Sequence, residues 1–380
     1  MPKVTLAELE SDPHNALAQL RPIGWVEPLG AWVVASRALA MQVMRDPAGF
    51  TVDDPRFSTA QVVGPSMLSL DHADHARHRD PFESPFGLAR TRERYREFVE
   101  AETDRLVSAI EPLGYSDLRR TVAGPLSVAV VADSLGLPGT DAATVLSWYD
   151  AISASVTGVS AGCPVTGAGA EAFELLRAHV VKAIETGTPS SSLVAYASDA
   201  GLETDAVVAN AAVLMFGGIE TTEGMITNAL WHLLTNTDQL ALVLADPDLL
   251  PNAIEESLRL EPAASTVDRY ATQDISLGGA DIKRGDLVTV SIAGANRDPA
   301  VFEAPDMYDV RRPNARRHLA FASGPHICLG MHLARLEALV ALRHLLTRLP
   351  NLHLDPAGPS PVPHGLVFRK PQAIPARWTT

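Results

Sequence analysis

The chain has 380 residues, of which 46% are hydrophobic, and its formal net charge is −14 at pH 7. An acidic chain is a poor partner for nucleic acid, and two cysteines are too few for a disulfide framework or a four-cysteine zinc site. The N-terminus lacks a basic start followed by an apolar run, and no apolar stretch is long enough to span a bilayer. We therefore expect a cytoplasmic protein with no membrane segment.

Short elements open the chain. Hydrophobic periodicity predicts helices at Leu6–Glu10, Pro13–Leu20 and Ala38–Arg45, and strands at Trp25–Glu27 and Trp32–Ala35. Pro55 precedes residues 58–70 and Pro65 lies within them, and we expect an irregular connection there.

A polar segment follows, Asp71-His-Ala-Asp-His-Ala-Arg-His-Arg79. In a helix, His75 and Arg79 lie four residues apart on one face, where two donors can hold a carboxylate of a cofactor. The three histidines also raise the alternative of a metal site, but they lack the paired spacing and acidic partner of a zinc helix. A solvated polar helix face is the third interpretation.

Helical patterns dominate residues 90–260. They predict helices at Thr91–Ile110, Pro125–Leu135, Asp141–Val156, Ala168–Glu185 and Asn252–Leu260. Within this region, Gly158-Val-Ser-Ala-Gly162 matches the G-x-S-x-G motif of serine hydrolases. That motif needs a strand before the serine and a helix directly after it, whereas helical sequence precedes it here and Cys163-Pro164 follows. We interpret the segment as a link between helices.

The longest predicted helix runs from Thr204 to about Leu234, which is roughly 45 Å at 1.5 Å per residue. Its middle reads Phe216-Gly-Gly-Ile-Glu-Thr-Thr222. Two glycines, a carboxylate and hydroxyl groups are costly in an otherwise apolar helix. Gly218 and its neighbour would let a flat group approach the helix, and Glu220 with Thr221 could relay protons.

One of the two cysteines lies in Phe321-Ala-Ser-Gly-Pro-His-Ile-Cys-Leu-Gly330, directly before the helical pattern of residues 331–339. Backbone N–H groups and the dipole at a helix N-terminus favour the thiolate form of Cys328. Gly324 and Gly330 allow the backbone to approach a large flat group. A thiolate in such a place is a good axial ligand for haem iron, and a buried structural cysteine is the alternative.

Positive charge is concentrated around this cysteine. Between Val310 and Arg348 there are seven arginines, no lysine and one acidic residue, Glu337. A basic patch on an acidic protein is suited to docking an acidic electron donor. A solvated arginine-rich helix end explains the charge equally well.

Strand-like sequence follows the helical region, at Leu287–Ile292, and closes the chain, at Leu352–Leu354 and Val367–Phe368. We predict one mainly α domain with a smaller β region over residues 1–380. The helix-rich parts are expected at about 70–260 and 330–348, and the β-rich parts at about 20–60, 265–310 and 350–378.

These motifs, in their order and spacing, resemble those of the cytochrome P450 family, the haem-thiolate monooxygenases, over nearly the whole chain. The cysteine loop is similar to the family pattern F-x-x-G-x-H-x-C-x-G, with Phe321, Gly324, His326, Cys328 and Gly330 in place. The long helix is similar to the pattern A/G-G-x-D/E-T, with Gly217, Gly218, Glu220 and Thr221 in place.

Further motifs carry the same resemblance. Glu256 and Arg259 match the family's E-x-x-R helix, and Arg312 matches the arginine that completes this buried cluster. His75 and Arg79 match an H-x-x-x-R pattern that holds haem propionates, and Arg269 and His326 match two more propionate contacts. Two positions depart from the pattern: Ala322 replaces a frequent glycine, which alters loop packing, and Glu220 replaces the commoner aspartate.

The resemblance implies the cytochrome P450 fold, with the long helix crossing over haem b and the Cys328 thiolate bound to iron. The residues it implies for the cofactor are His75, Arg79, Gly218, Thr221, Arg269, Phe321, His326, Cys328 and Gly330. It implies that Thr221 and Glu220 are catalytic and deliver protons to dioxygen, the co-substrate.

The resemblance also implies a substrate class and partners. We expect hydroxylation or epoxidation of an apolar or mixed-polarity organic molecule, by analogy a natural-product intermediate. Electrons are expected from NAD(P)H through a ferredoxin-type donor that docks on the arginine-rich surface near Cys328. Two alternatives stay open: the same haem chemistry used for oxidative ring formation or coupling, and a haem-binding sensor without turnover.

Overall fold

The computed structural model describes residues 4–137, 139–160, 162–187 and 189–380, and these residues form fifteen α-helices and twelve short β-strands. The helices are α1 Leu6–Ser11, α2 His14–Leu20, α3 Arg37–Arg45, α4 Ser58–Val63, α5 His72–Glu83, α6 Leu88–Ile110, α7 Gly124–Leu135, α8 Ala142–Ser160, α9 Gly167–Thr186, α10 Leu193–Asp199, α11 Thr204–Thr235, α12 Thr237–Ala245, α13 Leu250–Leu260, α14 Ile292–Ala295 and α15 Met331–Arg348. The strands are β1 Ile23–Val26, β2 Ala31–Val34, β3 Phe50–Thr51, β4 Tyr115–Asp117, β5 Thr266–Ala271, β6 Ile275–Leu277, β7 Ala280–Ile282, β8 Leu287–Ser291, β9 His353–Leu354, β10 Pro363–His364, β11 Lys370–Pro371 and β12 Pro375–Arg377. The mainly α architecture with a smaller β part is the predicted fold class.

The chain is divided into two compact units, each assembled from separate segments. The first unit contains Met1–Thr51, Thr103–Gly124 and Glu220–Thr380, and the second contains Val52–Glu102 and Pro125–Ile219. The single domain expected over residues 1–380 stays a prediction.

A five-stranded sheet organises the first unit. Its strand order is β1-β2-β8-β5-β3, in which β2 and β8 are parallel and the other neighbours are antiparallel. The central strand β8 has the sequence Leu-Val-Thr-Val-Ser, and its β-branched side chains suit a strand that is buried on both faces. Val288 and Val290 are fully buried in a core with Val34, Met44 and Ile282. This core supports β5, which carries Arg269 opposite Val288.

The second unit is helical, and its α8 and α9 pack closely. A Cβ on Gly169 would lie 2.5 Å from the Cβ of Ser155, so glycine at this position permits the helix contact. The Ser155 hydroxyl also accepts a hydrogen bond from the Thr166 N–H at 3.0 Å. Leu176, Val180 and other apolar residues at helical spacing on α9 are buried.

Two local predictions differ from the structure, and two short helices were not predicted. Residues 58–63, expected to be irregular, form helix α4, which is too short for periodicity to identify and ends at Gly64 with φ +83°. Phe368 contributes only an isolated bridge to Ala264, and the neighbouring strand is Lys370–Pro371. Helices α10 and α12, of seven and nine residues, were not predicted.

The segment that matches the serine-hydrolase motif ends a helix. Gly158 and Ser160 belong to α8, and the Ser160 hydroxyl donates to the Val156 carbonyl at 3.0 Å. Ala161 lies outside the described residues. No strand precedes Ser160 within the described part of this segment, which argues against the serine-hydrolase motif, but Gly158 to Ser160 form the last turn of α8 rather than a link between helices.

Candidate active site

The loop that carries Cys328 has a tight backbone conformation. The Cys328 N–H donates to the Phe321 carbonyl at 2.8 Å, and the Ile327 N–H donates to the Gly324 carbonyl at 3.1 Å. Helix α15 begins three residues after the half-buried cysteine, with Gly330 at its N-cap. The thiol therefore lies beside a helix N-terminus, where the helix dipole favours negative charge.

Gly324 is required by the packing of this loop. Its φ is +79°, and a Cβ there would lie 2.3 Å from the Met44 carbonyl oxygen at the end of α3. Arg45, the last residue of α3, donates from Nε to the Ser323 hydroxyl at 2.8 Å. Helix α3 therefore anchors the cysteine loop.

Ala322 has a left-handed backbone conformation, with φ +58°. A side chain in this conformation costs about 1–2 kcal/mol, which glycine avoids. The alanine that departs from the family pattern therefore adds backbone strain to the cysteine loop, which goes beyond the change in packing expected from the sequence.

Three side chains that the sequence analysis did not single out hold Phe321. The Arg335 guanidinium lies 4.4 Å from the centroid of the Phe321 ring, and the His318 ring lies 5.8 Å from it. Arg335 donates to both oxygens of Glu255, at 2.6 and 2.9 Å, and His318 Nε2 lies 3.0 Å from Glu255 Oε2. Burial opposes ionisation of Glu255, but the hydrogen bonds from His318 and Arg335 outweigh it and lower its pKa to about 2. The ionised cluster thus fixes the aromatic ring at the start of the loop.

The predicted cluster of Glu256, Arg259 and Arg312 is confirmed. Arg259 donates to both carboxylate oxygens of Glu256, at 2.7 and 2.8 Å, and Arg312 Nε donates to one of them at 2.8 Å. Glu256 and Arg259 are fully buried, and Arg312 is 6% exposed. The remaining guanidinium donors bind backbone carbonyls, those of Asn296, Glu303, Ala304, Pro305 and Met307. Such saturation is what makes a buried ion cluster stabilising.

The two glycines of the long helix have different surroundings. A Cβ on Gly218 would lie 2.5 Å from Val131 of α7, whereas a Cβ on Gly217 would meet nothing within 4 Å. Gly217 is also exposed, although Met215 and Ile219 on either side of it in α11 are buried. Helix packing therefore accounts for Gly218, and Gly217 is the glycine that faces open space.

Glu220 has a partner that the sequence analysis missed. Its Oε1 lies 2.8 Å from Nζ of Lys370 on β11, and the same ammonium group is paired with Glu223. Glu223 also accepts from Arg119 Nε at 3.0 Å. No sequence signal links Glu220 to Lys370, because they are far apart in the chain and belong to different element types.

Three of the residues expected at the haem propionates lie on secondary-structure elements, and His326 lies in the cysteine loop. Arg269 is buried on β5, and its Nη1 donates to the Asp268 carbonyl at 2.7 Å. His326 is half-buried in the cysteine loop. In the second unit, His75 is buried on α5, and Arg79 lies one turn further on with its Nε 3.2 Å from Glu83. His78 contacts Asn210 at 3.1 Å, which gives this histidine of the polar segment a packing role.

Fewer arginines of the arginine-rich segment, residues 310–348, contribute positive charge to the surface than the sequence indicates. Arg312 is buried in the Glu256 cluster, Arg335 pairs with Glu255, and Arg348 pairs with Asp104 and Glu111. Four arginines of the segment are exposed, at positions 311, 316, 317 and 343. The sequence count missed these carboxylates because all of them lie outside the segment.

Two arginines of α3 add to the exposed positive charge. Burial and the neighbouring charges of Arg317 and Arg45 lower the pKa of Arg37. In the same region, the Arg37 Nε donates to the Arg317 carbonyl at 2.8 Å. A basic surface therefore forms where α3, residue 317 and the cysteine loop meet.

The donors of the first unit fit a haem. A half-buried thiol at a helix N-terminus suits an axial iron ligand, and Arg269 and His326 are cationic or hydrogen-bonding groups that suit a propionate. In the described part of the chain, no helix has both the length and the apolar character needed to cross a bilayer.

The fold and the cysteine loop define the class of haem-thiolate proteins, and comparisons with known proteins agree. A family model described as cytochrome P450 matches residues 190–374. The cytochrome P450 monooxygenase PikC of Streptomyces venezuelae is 33% identical over 404 residues, covering 98% of this chain and 92% of that protein. The 20-oxo-5-O-mycaminosyltylactone 23-monooxygenase of Streptomyces fradiae is 37% identical over 295 residues, covering 76% and 68%. The solved structure of HmtN, a post-tailoring hydroxylase involved in himastatin biosynthesis, superposes with a TM-score of 0.85 and 30% identity over 99% of this chain and 100% of that chain.

The chain belongs to the cytochrome P450 family. It is an oxidoreductase that incorporates oxygen, with a haem iron held by a cysteine thiolate and dioxygen as co-substrate. Proteins of this family act on small-molecule substrates and use redox partners.

Proposed function

We propose that the protein hydroxylates or epoxidises an apolar or mixed-polarity natural-product intermediate. The observation that carries the proposal is the strained, anchored loop of Cys328 at the start of α15. Two relatives support the substrate class: the 20-oxo-5-O-mycaminosyltylactone 23-monooxygenase and the hydroxylase involved in himastatin biosynthesis. The cytoplasmic location stays a prediction.

We assign Cys328 as the iron ligand and Phe321 and Gly330 as its neighbours at the haem. His75, Arg79, Arg269 and His326 would neutralise and hydrogen-bond the propionates, which fixes the haem orientation. When bound, the haem supplies reductive activation of dioxygen, in which one oxygen atom enters the substrate and the other leaves as water. The overall balance consumes two electrons and two protons for each dioxygen.

Thr221 and Glu220 are proposed to deliver those protons. The Thr221 hydroxyl would donate towards the oxygen site and be reprotonated through Glu220. The Glu220 side chain is 17% exposed, so solvent can reprotonate its carboxylate in turn. Thr221→Ala should lower the product formed per electron consumed and raise the peroxide released. Unchanged product per electron in this variant would remove Thr221 from the pathway.

The electron donor is proposed to be a ferredoxin-type protein that receives its electrons from NAD(P)H. The basic surface formed by Arg37, Arg45, Arg316 and Arg317 would attract its acidic face. Arg316→Glu should slow reduction at low salt, and the difference from wild type should shrink as salt screens the charges. A salt-independent difference would point away from electrostatic docking.

The test of the haem-thiolate assignment is optical. Cys328→Ser should lose the haem-thiolate spectrum, whereas Cys163→Ser, at the exposed cysteine, should keep it. Titrating the wild-type ferric protein with apolar small molecules should give a high-spin shift for compounds that enter the pocket. A native thiolate spectrum in Cys328→Ser would overturn the ligand assignment.

A further inference from the structure

Lys370 joins two carboxylates of the long helix. Its Nζ lies 2.8 Å from Glu220 Oε1 and also pairs with Glu223 Oε2. The side chains are mostly buried, with exposed fractions of 9% for Lys370, 17% for Glu220 and 13% for Glu223. All three belong to the first unit.

Glu223 is fixed from more than one side. Arg119 donates to it from Nε and Nη2, at 3.0 and 3.4 Å, and Arg119 Nη1 also donates to the Gln372 carbonyl at 2.7 Å. A Cβ on Gly124 would lie 2.9 Å from Glu223 Oε1, so the backbone of α7 closes over this carboxylate. The Glu223–Arg119 pair is therefore a rigid base for Lys370.

The shared ion pair changes the free energy needed to separate Glu220 from Lys370. Separating an isolated buried ion pair leaves a charge unpaired, which is strongly unfavourable. When Glu220 leaves Lys370, the ammonium group keeps Glu223 as its counterion, and Glu223 keeps Arg119. The sharing of Lys370 therefore lowers the cost of releasing Glu220.

We propose that Lys370 is a positioning residue that holds Glu220 in its resting place and releases it during proton delivery, with Glu223 as the substitute partner. The inference rests on the proposed role of Glu220. In each cycle the Glu220 carboxylate takes a proton from water and passes it towards Thr221, while Lys370 keeps its own proton throughout.

The contact can be measured without turnover. The chain has four lysines, Lys3, Lys182, Lys283 and Lys370, so ¹⁵N-lysine labelling gives few ammonium signals. In the diamagnetic ferrous carbon-monoxide form, the buried and paired Lys370 should give a slowly exchanging signal that is missing in Lys370→Arg. Glu220→Gln should shift that signal and speed its exchange. An unchanged signal in Glu220→Gln would overturn the contact on which the proposal depends.

The functional test uses oxygen reduction without an organic substrate, driven by a surrogate ferredoxin and its reductase. Oxygen then leaves either as peroxide, after two electrons and two protons, or as water, after four of each. The fraction leaving as water reports on proton delivery. Lys370→Met removes the group that holds Glu220, whereas Glu223→Gln removes the substitute partner and so leaves Lys370 bound to Glu220 alone. The two variants should therefore change the fraction leaving as water in opposite directions, each by about three- to tenfold. Lys370→Arg should restore most of the wild-type value.

The outcomes separate the two proposals. If Glu220→Gln and Thr221→Ala leave the fraction unchanged, the proposed proton pathway fails. If those variants change it but Lys370→Met and Glu223→Gln do not, the pathway holds and the role of Lys370 is wrong. Thermal melting of each variant is the control for folding, and a Lys370→Arg protein that melts like wild type but behaves like Lys370→Met would also contradict the proposal.

Discussion

Two ionic clusters of the first unit use the same chemistry in different surroundings. In the Glu256 cluster, one fully buried carboxylate binds two arginines whose other donors are saturated by backbone carbonyls. In the Lys370 cluster, one ammonium group is shared by two carboxylates that keep some solvent exposure. A saturated cluster has one low-energy arrangement, whereas a shared lysine has two. We call the Glu256 cluster the fixed cluster and the Lys370 cluster the mobile cluster. Donor saturation and burial, rather than the number of charges, distinguish the two.

The largest expected effect is on the fixed cluster. Arg312→Ala leaves Glu256 with one arginine and several carbonyls without a donor, so the free energy of unfolding should fall by about 3–5 kcal/mol. Urea denaturation at matched haem content measures this loss. Lys370→Met is the matched comparison, and an equal loss in that variant would erase the distinction between the clusters.

A third buried pair adds a pH dependence to the comparison. Burial opposes ionisation of Glu261, but the hydrogen bond with His14 and the charge of Arg369 lower its pKa from 4.5 to about 2. Because the folded-state pKa is lowered, the stabilisation is present above about pH 4.5 and is lost as pH falls towards 2. The loss from this group should be about 3 kcal/mol.

In Glu261→Gln, the free energy of unfolding should fall less steeply as the pH is lowered from 5 to the lowest pH at which the protein is folded. Denaturation curves at several pH values measure the slope, with the exposed Glu171→Gln as the control. An acid slope that survives in Glu261→Gln would assign the pH dependence to other carboxylates.

The smallest effect is expected at the edge of the mobile cluster. Arg119→Gln leaves Glu223 paired with Lys370, so neither charge is left without a counterion, and stability should fall by only about 1 kcal/mol for the lost hydrogen bonds. Lys283→Gln, in an exposed pair with Asp274, should cause no measurable change. A loss at Arg119 as large as that at Arg312 would show that the mobile cluster is equally structural.

Local spacing predicted much of this architecture. The helix expected from Thr204 to about Leu234 is observed at Thr204–Thr235, because its apolar pattern is long and contains no proline. The three-residue spacing of Glu256 and Arg259 placed both on one helix face before their partner was known.

Contacts between distant segments escaped prediction for a physical reason. Lys370 meets Glu220, and Arg335 meets Glu255, only because strands and helices far apart in the chain pack together. For the same reason, the charge counted from the sequence around Cys328 overestimated the unpaired positive charge, since Arg348 is paired with Asp104 and Glu111. Sequence periodicity carries no information about such pairs.

The two cysteines differ in solvent exposure, and this difference allows the haem content to be measured. Cys163 is exposed, whereas Cys328 is half-buried in the loop assigned to iron. In Cys163→Ser, Cys328 is the one remaining thiol. A maleimide dye added under native conditions should then label only molecules that lack haem, so the fluorescence of a gel band becomes an inverse assay of cofactor loading.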